Sequence, residues 1–150
     1  MAIKSSVYKI SFKKILTTYS NISDADLDKI GSLDIESSFD YEKDGLYFCY
    51  VISSEIEINK YIKILEKNLI NFKCEDISDL LLKNEYDVSY IKNYLDETNH
   101  YVYEVFIHDI NNWIYSKLDI DIVLDMISFK GINSLREIDK KFLDNYNKSK

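Results

Sequence analysis

The chain has 150 residues, 46% of them hydrophobic and 14% aromatic, and a formal charge of −7. That length predicts a single domain able to bury roughly 68–70% of its unfolded surface, and the aromatic content excludes a chain that is disordered over most of its length. Residues 1–20 carry four lysines and no acid and residues 140–150 four lysines and one acid, while the stretch between holds 11 basic and 25 acidic side chains, a balance that argues against a phosphate-neutralising nucleic-acid face and suits a partner with a basic surface.

The N-terminal stretch has lysines but no apolar run of signal-peptide length, and no window approaches the roughly 20 apolar residues of a membrane span. A cytoplasmic protein is the expectation, which makes the sequon at Asn21 irrelevant. Val7–Phe12 alternates loosely, as a half-buried strand does. Ser23 followed by Asp24 and Asp26 has the form of an N-cap with acids in the first turn, opening a short helix that ends at Gly31. Asp24, Asp26 and Asp28 also echo the start of a calcium loop. That pattern wants glycine at its sixth position and glutamate at its twelfth, where this chain has Lys29 and Ile35, so the calcium reading is rejected.

Ile35–Tyr41 and Leu46–Ile52 are strand candidates separated by Glu42-Lys43-Asp44-Gly45, where Asp-Gly signals a hairpin turn because glycine tolerates positive φ. Ser53 or Ser54 caps the next helix, in which Ile58, Tyr61, Ile62, Leu65 and Leu69 recur at helical spacing. Phe72 and Cys74 fit a fourth strand running into a short helix with Ile77, Leu80 and Leu81. Cys49, inside an apolar run, fits a small buried hydrophobe and Cys74 a partly exposed one. Two distant cysteines make neither a disulfide framework nor a zinc pattern.

The second half is helical in pattern. Val88, Ile91, Tyr94 and Leu95 share a face. Tyr103, Phe106, Ile107, Ile110, Trp113, Ile114 and Leu118 trace a second apolar stripe, with Trp113 as a core anchor. A helix over Ile120–Phe129 ends at Gly131, placed as a left-handed stop. Ser134-Leu135-Arg136-Glu137 matches a capping box, after which Ile138, Phe142 and Leu143 face inward.

Together these elements predict an α+β fold: a small antiparallel sheet of ferredoxin-like, split βαβ type, followed by a helical C-terminal half. Within one domain spanning 1–150, residues 1–82 form the β-rich part and 86–150 the helical part, with a C-terminal helical hairpin over 120–147.

Residues 121–143 carry a more specific pattern. Leu124, Asp125, Ile127, Ser128, Gly131, Ser134, Leu135, Lys140, Phe142 and Leu143 resemble a short helical tail module of Bacteroidota proteins, similar to the cytoplasmic tail of some rhomboid-family proteins. The resemblance covers about a fifth of the chain. It implies a bacterial source and a helix-turn-helix hairpin. The rhomboid membrane helices and catalytic residues are not in the sequence, so the resemblance implies no protease activity. No resemblance is identified for residues 1–118.

The nearest approach to a metal site is His100, Glu104 and His108, spaced by four along one side of a helix. It is not the HExxH signature, and it needs further ligands from elsewhere. No catalytic set, phosphate loop or cofactor motif is present, and no cofactor is expected. Tyr41, Tyr47, Tyr50, Tyr86, Tyr90, Tyr94, Tyr101, Tyr103 and Tyr115 exceed what a core of this size needs. Tyrosine favours binding surfaces because it buries area while keeping a polar end. An acidic, tyrosine-rich surface therefore predicts a non-enzymatic protein-binding domain, of the kind exemplified by bacterial immunity or inhibitor proteins that neutralise a basic partner. Tyr41, Tyr47, Asp87, Tyr90, Tyr94, Asp96 and Tyr101 are its candidate contact residues. A structural or homo-oligomeric module and a metal-dependent enzyme on the His/Glu face are the alternatives.

Overall fold

The computed structural model describes residues 4–13, 22–68 and 70–148, apart from the side chain of Thr98. Asn21 and Leu69, named above, lie outside the described residues. The chain divides into two compact units, Met1–Ile77 and Ser78–Lys150.

In the first unit the elements run β1 (Ser5–Lys13), α1 (Asp24–Gly31), β2 (Ser37–Lys43), β3 (Leu46–Ser54), α2 (Glu55–Lys67) and β4 (Phe72–Asp76). Serines set both helix starts: the Ser23 hydroxyl accepts from the Asp26 N–H at 3.2 Å and the Ser54 hydroxyl from the Glu57 N–H at 3.3 Å. Each satisfies a donor that the first helical turn leaves without an intrahelical acceptor. Asp44 and Gly45 form the two-residue turn between β2 and β3 with φ of 53° and 77°, the pair of positive values that a hairpin matched to strand twist requires. The sheet order is β2-β3-β1-β4 with every pair antiparallel. With a helix between β1 and β2 and another between β3 and β4, this is the ferredoxin-like, split βαβ arrangement.

Register fixes which side chains share a face, because residues directly opposite one another point the same way. Tyr8, Ile10 and Phe12 of β1 lie opposite Val51, Cys49 and Tyr47 of β3. Ile10, Phe12 and Val51 pack with Ile58, Tyr61 and Leu65 of α2 as one core. Ile10 and Leu65 are fully buried, and each such side chain contributes about 1.5–3 kcal/mol through removal from water.

The other face is apolar as well: Val7, Phe39, Tyr50 and Ile52 are buried. Tyr41 belongs to it, stacked on Phe48 at 5.1 Å and parallel to Tyr50 at 6.4 Å between ring centroids. This corrects the expectation that Tyr41 and Tyr50 stand in solvent. Alternation turns both rings into the sheet's aromatic row.

Asp26 is buried in the first turn of α1. It accepts from Lys67 Nζ and Asn68 Nδ2, both at 3.3 Å, which ties α1 to the end of α2. The Asp24–Asp28 acids thus belong to a helix start, as read from the sequence.

The second unit comprises α3 (Ser78–Leu82), a 3₁₀ turn at Ser89–Tyr94, α4 (Glu97–Lys117), α5 (Ile120–Lys130), a short 3₁₀ turn at Ile132–Ser134 and α6 (Glu137–Lys148). Its buried side chains include Leu81, Ile91, Tyr103, Phe106, Ile110, Trp113, Ile114, Val123 and Met126, the stripe expected on α4 among them. α4 packs on α3 and α6, and α5 on α6.

Two local expectations change. Ser134 does not cap α6; its hydroxyl donates to the Gly131 carbonyl at 2.6 Å. The carboxylate that reaches back is Asp139, which accepts from the Arg136 N–H at 2.9 Å. Asp139 is fully buried while Glu137 is exposed, so burial selects the acid that closes the helix. Gly131 ends α5 at φ 86° and ψ 159°. Its φ is positive as expected, but its ψ lies outside the left-handed helical region, in a basin that is essentially glycine's alone.

α3 belongs with the helical unit because three side chains hold its C-terminal end and the turn after it. Arg136 Nη1 and Nη2 donate to the Leu81 and Leu82 carbonyls at 2.5 and 2.9 Å. Asn84 Nδ2 donates to the Ser134 carbonyl at 3.3 Å, and Lys130 Nζ to the Lys83 and Asn84 carbonyls at 3.2 and 3.0 Å.

Candidate functional site

The segment from Glu85 to Val105 carries five exposed large apolar side chains. Asp87 opens it: its Oδ1 accepts from the Ser89 N–H at 2.8 Å, a side-chain turn that starts the 3₁₀ segment. The hydrogen bonds from Ser89 hold the Asp87 carboxyl below the usual range, so it is anionic at neutral pH. Val88 and Ile91, three apart as one 3₁₀ turn requires, point inward. Tyr90 and Tyr94 are left on the surface, edge to face with ring centroids 6.2 Å apart. Asp96 then caps α4, accepting from the Asn99 N–H at 3.1 Å.

Along α4 the inward positions are Tyr103, Phe106, Ile110 and Trp113. Tyr103 is fixed by its hydroxyl, which donates to the Val88 carbonyl at 3.1 Å. Burial pushes its pKa up to about 12, with Glu104 and Asp87 adding to the rise. Asp87 and Glu104, 17 positions apart, therefore both act on the one phenol that joins the 3₁₀ turn to α4. The helical period that turns Tyr103 inward turns its neighbours out: Tyr101 is 78% exposed, Val102 51% and Val105 44%. Five carboxylates against a single lysine lie between residues 85 and 105. Along this segment Tyr90, Tyr94, Tyr101, Val102 and Val105 thus form a ridge of exposed apolar side chains interspersed in sequence with Asp87, Asp96, Glu97 and Glu104.

The seven contact residues expected from the sequence divide between the units. Asp87, Tyr90, Tyr94, Asp96 and Tyr101 are all exposed along this one segment. Tyr41 is buried, and Tyr47 is half-buried, stacked on Phe12 at 4.9 Å and donating its hydroxyl to Asp40. Both belong to the first unit. Tyr103, expected both on the apolar stripe and among the surplus tyrosines, is buried. Val102 and Val105 were not foreseen. Their signal was available: the 103/106/110/113 stripe leaves 102 and 105 outside the core.

His100, Glu104 and His108 are exposed along α4, and His108 Nε2 lies 3.2 Å from Asn112 Nδ2. Among the described residues no group of three or more His, Cys, Asp or Glu side chains is placed to hold a metal ion. Cys49 and Cys74 are half-buried thiols; burial pushes Cys49 up to about 12 and raises Cys74 as well. Among the described residues no helix is long and apolar enough to cross a membrane.

Comparison of the chain with protein-family models, with curated proteins and with solved structures found no match. The functional reading rests on the geometry of the chain itself.

Proposed function

We propose that this protein is a non-enzymatic, acidic protein-binding domain, and that its partner is a protein with a basic surface, in the manner of a bacterial immunity or inhibitor protein acting in the cytoplasm. The observation that carries the reading is the ridge at residues 85–105, where five exposed apolar side chains stand among carboxylates. Single exposed apolar side chains are common on any surface, but two valines and three tyrosines within one short segment are a concentration of the kind that marks interaction sites. Aromatic anchors inside a charged rim are the usual composition of a binding hot spot. The carboxylates would steer a cationic partner and select against acidic ones.

The test compares native protein with Tyr94→Ser/Tyr101→Ser as affinity baits at low and moderate salt. One basic protein should be retained stoichiometrically by the native bait, released as salt rises, and lost from the double variant, whose fold is checked by circular dichroism. Equal retention by both baits would remove the ridge from the reading. Retention of acidic proteins, or none at all, would remove the reading itself.

A second reading, self-assembly, is favoured by a separate observation: Phe129 is 85% exposed, Ile132 64% and Leu124 51% in and just after α5. Sedimentation at rising concentration, with Phe129→Ser as control, separates self-association from capture of a partner.

A further inference from the structure

The first unit holds a cavity of about 330 Å³, lined by the end of α1 and the loop after it, by the β2–β3 hairpin and by Tyr61 of α2. That volume falls within the range of small-molecule sites, about 300–1,000 Å³. Its chemistry is uneven. Ile35, Val51 and the Tyr61 ring make an apolar wall, while Asp40 supplies the lining's only carboxylate.

Register explains why Asp40 is there. Asp40 lies opposite Cys49 and Ser38 opposite Val51, so both turn toward the face of the sheet that α2 covers. β2 is an edge strand, which leaves the cavity reachable from the side of the sheet. Tyr47 holds the carboxylate in place: its hydroxyl donates to Asp40 Oδ2, and its ring is stacked on Phe12 at 4.9 Å. A carboxylate accepts several hydrogen bonds, of which Tyr47 uses one. The neighbouring Cys49 thiol stays neutral, its pKa pushed up to about 12 by burial and by the Asp40 charge. The cavity therefore presents one negative charge beside two tyrosine rings, above an apolar floor.

We propose that this cavity binds a small organic monocation, an ammonium or amidinium carried on a compact aromatic or branched apolar body. The cationic head lies against Asp40, where the carboxylate makes a charge-assisted hydrogen bond to it. The body fills the space against Ile35, Val51 and Tyr61. A neutral ligand leaves the carboxylate unused, and an anion meets it directly. The site is preformed, because Tyr47 is fixed at both its ring and its hydroxyl, so little side-chain freedom is lost on binding. This inference concerns the first unit and does not depend on the ridge of the second.

The experiment titrates isotope-labelled full-length protein with three probes of one shape and different charge: benzylammonium, benzyl alcohol and phenylacetate. Backbone amide shifts of Asp40, Tyr47, Cys49 and Val51 are followed at neutral pH. Benzylammonium should shift these amides saturably and bind about tenfold or more tighter than benzyl alcohol, the scale of one charge-assisted contact, and phenylacetate should leave them in place. Asp40→Asn keeps an acceptor for Tyr47 and removes the charge. It should weaken benzylammonium by a similar factor while leaving benzyl alcohol unchanged. Equal binding of benzylammonium and benzyl alcohol to the native protein would overturn the assignment. So would unchanged benzylammonium affinity in Asp40→Asn, or no shift of these amides by any probe up to its solubility limit.

Discussion

Arg136 and Asp139 meet through two parallel contacts, Nε to Oδ2 at 2.9 Å and Nη2 to Oδ1 at 3.0 Å, and the same guanidinium closes the C-terminus of α3 through the Leu81 and Leu82 carbonyls. One side chain, the only arginine of the chain, thus neutralises a fully buried carboxylate and satisfies carbonyls that a helix end leaves open. A planar fork does this and a point-like ammonium does not. Asp139→Ala, which strands the guanidinium, should cost about 3–5 kcal/mol and Arg136→Lys about 2 kcal/mol in urea unfolding. A loss below about 0.5 kcal/mol for both would mean that α3 is held by its apolar contacts alone.

Two glycines should respond to alanine with opposite signs. Gly131 sits at φ 86° with nothing within 4 Å of an added Cβ, so its cost is backbone strain alone. Gly131→Ala should destabilise by about 1–3 kcal/mol. Gly31, the last residue of α1, has equally open space and no positive φ. Gly31→Ala should stabilise by about 0.4–1 kcal/mol by narrowing the unfolded ensemble. Paired denaturation midpoints test both.

Hydrogen bonds from Asn68 and Lys67 hold the Asp26 carboxyl below its ordinary value of 3.8. A folded-state pKa below the unfolded one adds stability that is complete above the unfolded value and is lost as pH falls through the folded one. Unfolding free energy should therefore begin to fall below about pH 4, as this carboxylate takes up its proton. Asp26→Asn should flatten that part of the profile. An unchanged acid limb would show that Asp26 is not among the groups that set it.

Cys49 should be almost inert to alkylation while the protein is folded. A rise in pKa from 9.0 to about 12 leaves about a thousandfold less thiolate at mild pH. Cys74, also raised by burial, should be slowed as well. The two thiols lie in one row across β1, each opposite Ile10. Two interstrand spacings put them roughly 10 Å apart, too far for a disulfide without displacing β1. Mass-spectrometric labelling should show both free and protected until denaturant is added. Rapid modification of native Cys49 would contradict its raised pKa.

Tyr103→Phe and Tyr101→Phe separate a buried hydroxyl from an exposed one. The first removes the donor to the Val88 carbonyl and should cost about 1 kcal/mol. The second, at a site 78% exposed, should change stability by less than about 0.5 kcal/mol. Thermal unfolding of the two proteins makes the comparison.

Where a local rule acts alone, the sequence was legible. Asp44-Gly45 specified its turn, Ser23 and Ser54 their helices, and the 103/106/110/113 spacing the inner face of α4. Where two rules compete, tertiary packing chose. Ser134–Glu137 had the letters of a capping box, but the Arg136 fork drew Asp139 inward and left Glu137 in solvent. β3 did not alternate clearly because both of its faces are apolar, Cys49 and Val51 on one side, Tyr50 and Ile52 on the other. For the same reason composition did not reveal which tyrosines are exposed. Tyr41 and Tyr94 are one residue type in similar acidic surroundings, and only strand register buries the first. The 3₁₀ turn at Ser89–Tyr94 reads as a helical face because Val88 and Ile91, three apart, fit both periods. The cavity beside Asp40 had no sequence signal, since it depends on the end of α1 and a hairpin more than a dozen positions later coming together.

The order β2-β3-β1-β4 also sets a timetable for synthesis. β1 is the first strand to be made, yet its partners are residues 46–54 and 72–76. Tyr8 waits for Asp76, and no shorter piece of the chain completes the sheet. Because contacts between distant residues must pay loop closure before they are rewarded, the earliest strand remains an unsatisfied, apolar segment for most of the time its unit takes to emerge. A ribosome paused between α2 and β4 would expose the apolar row of β1 to any other chain nearby.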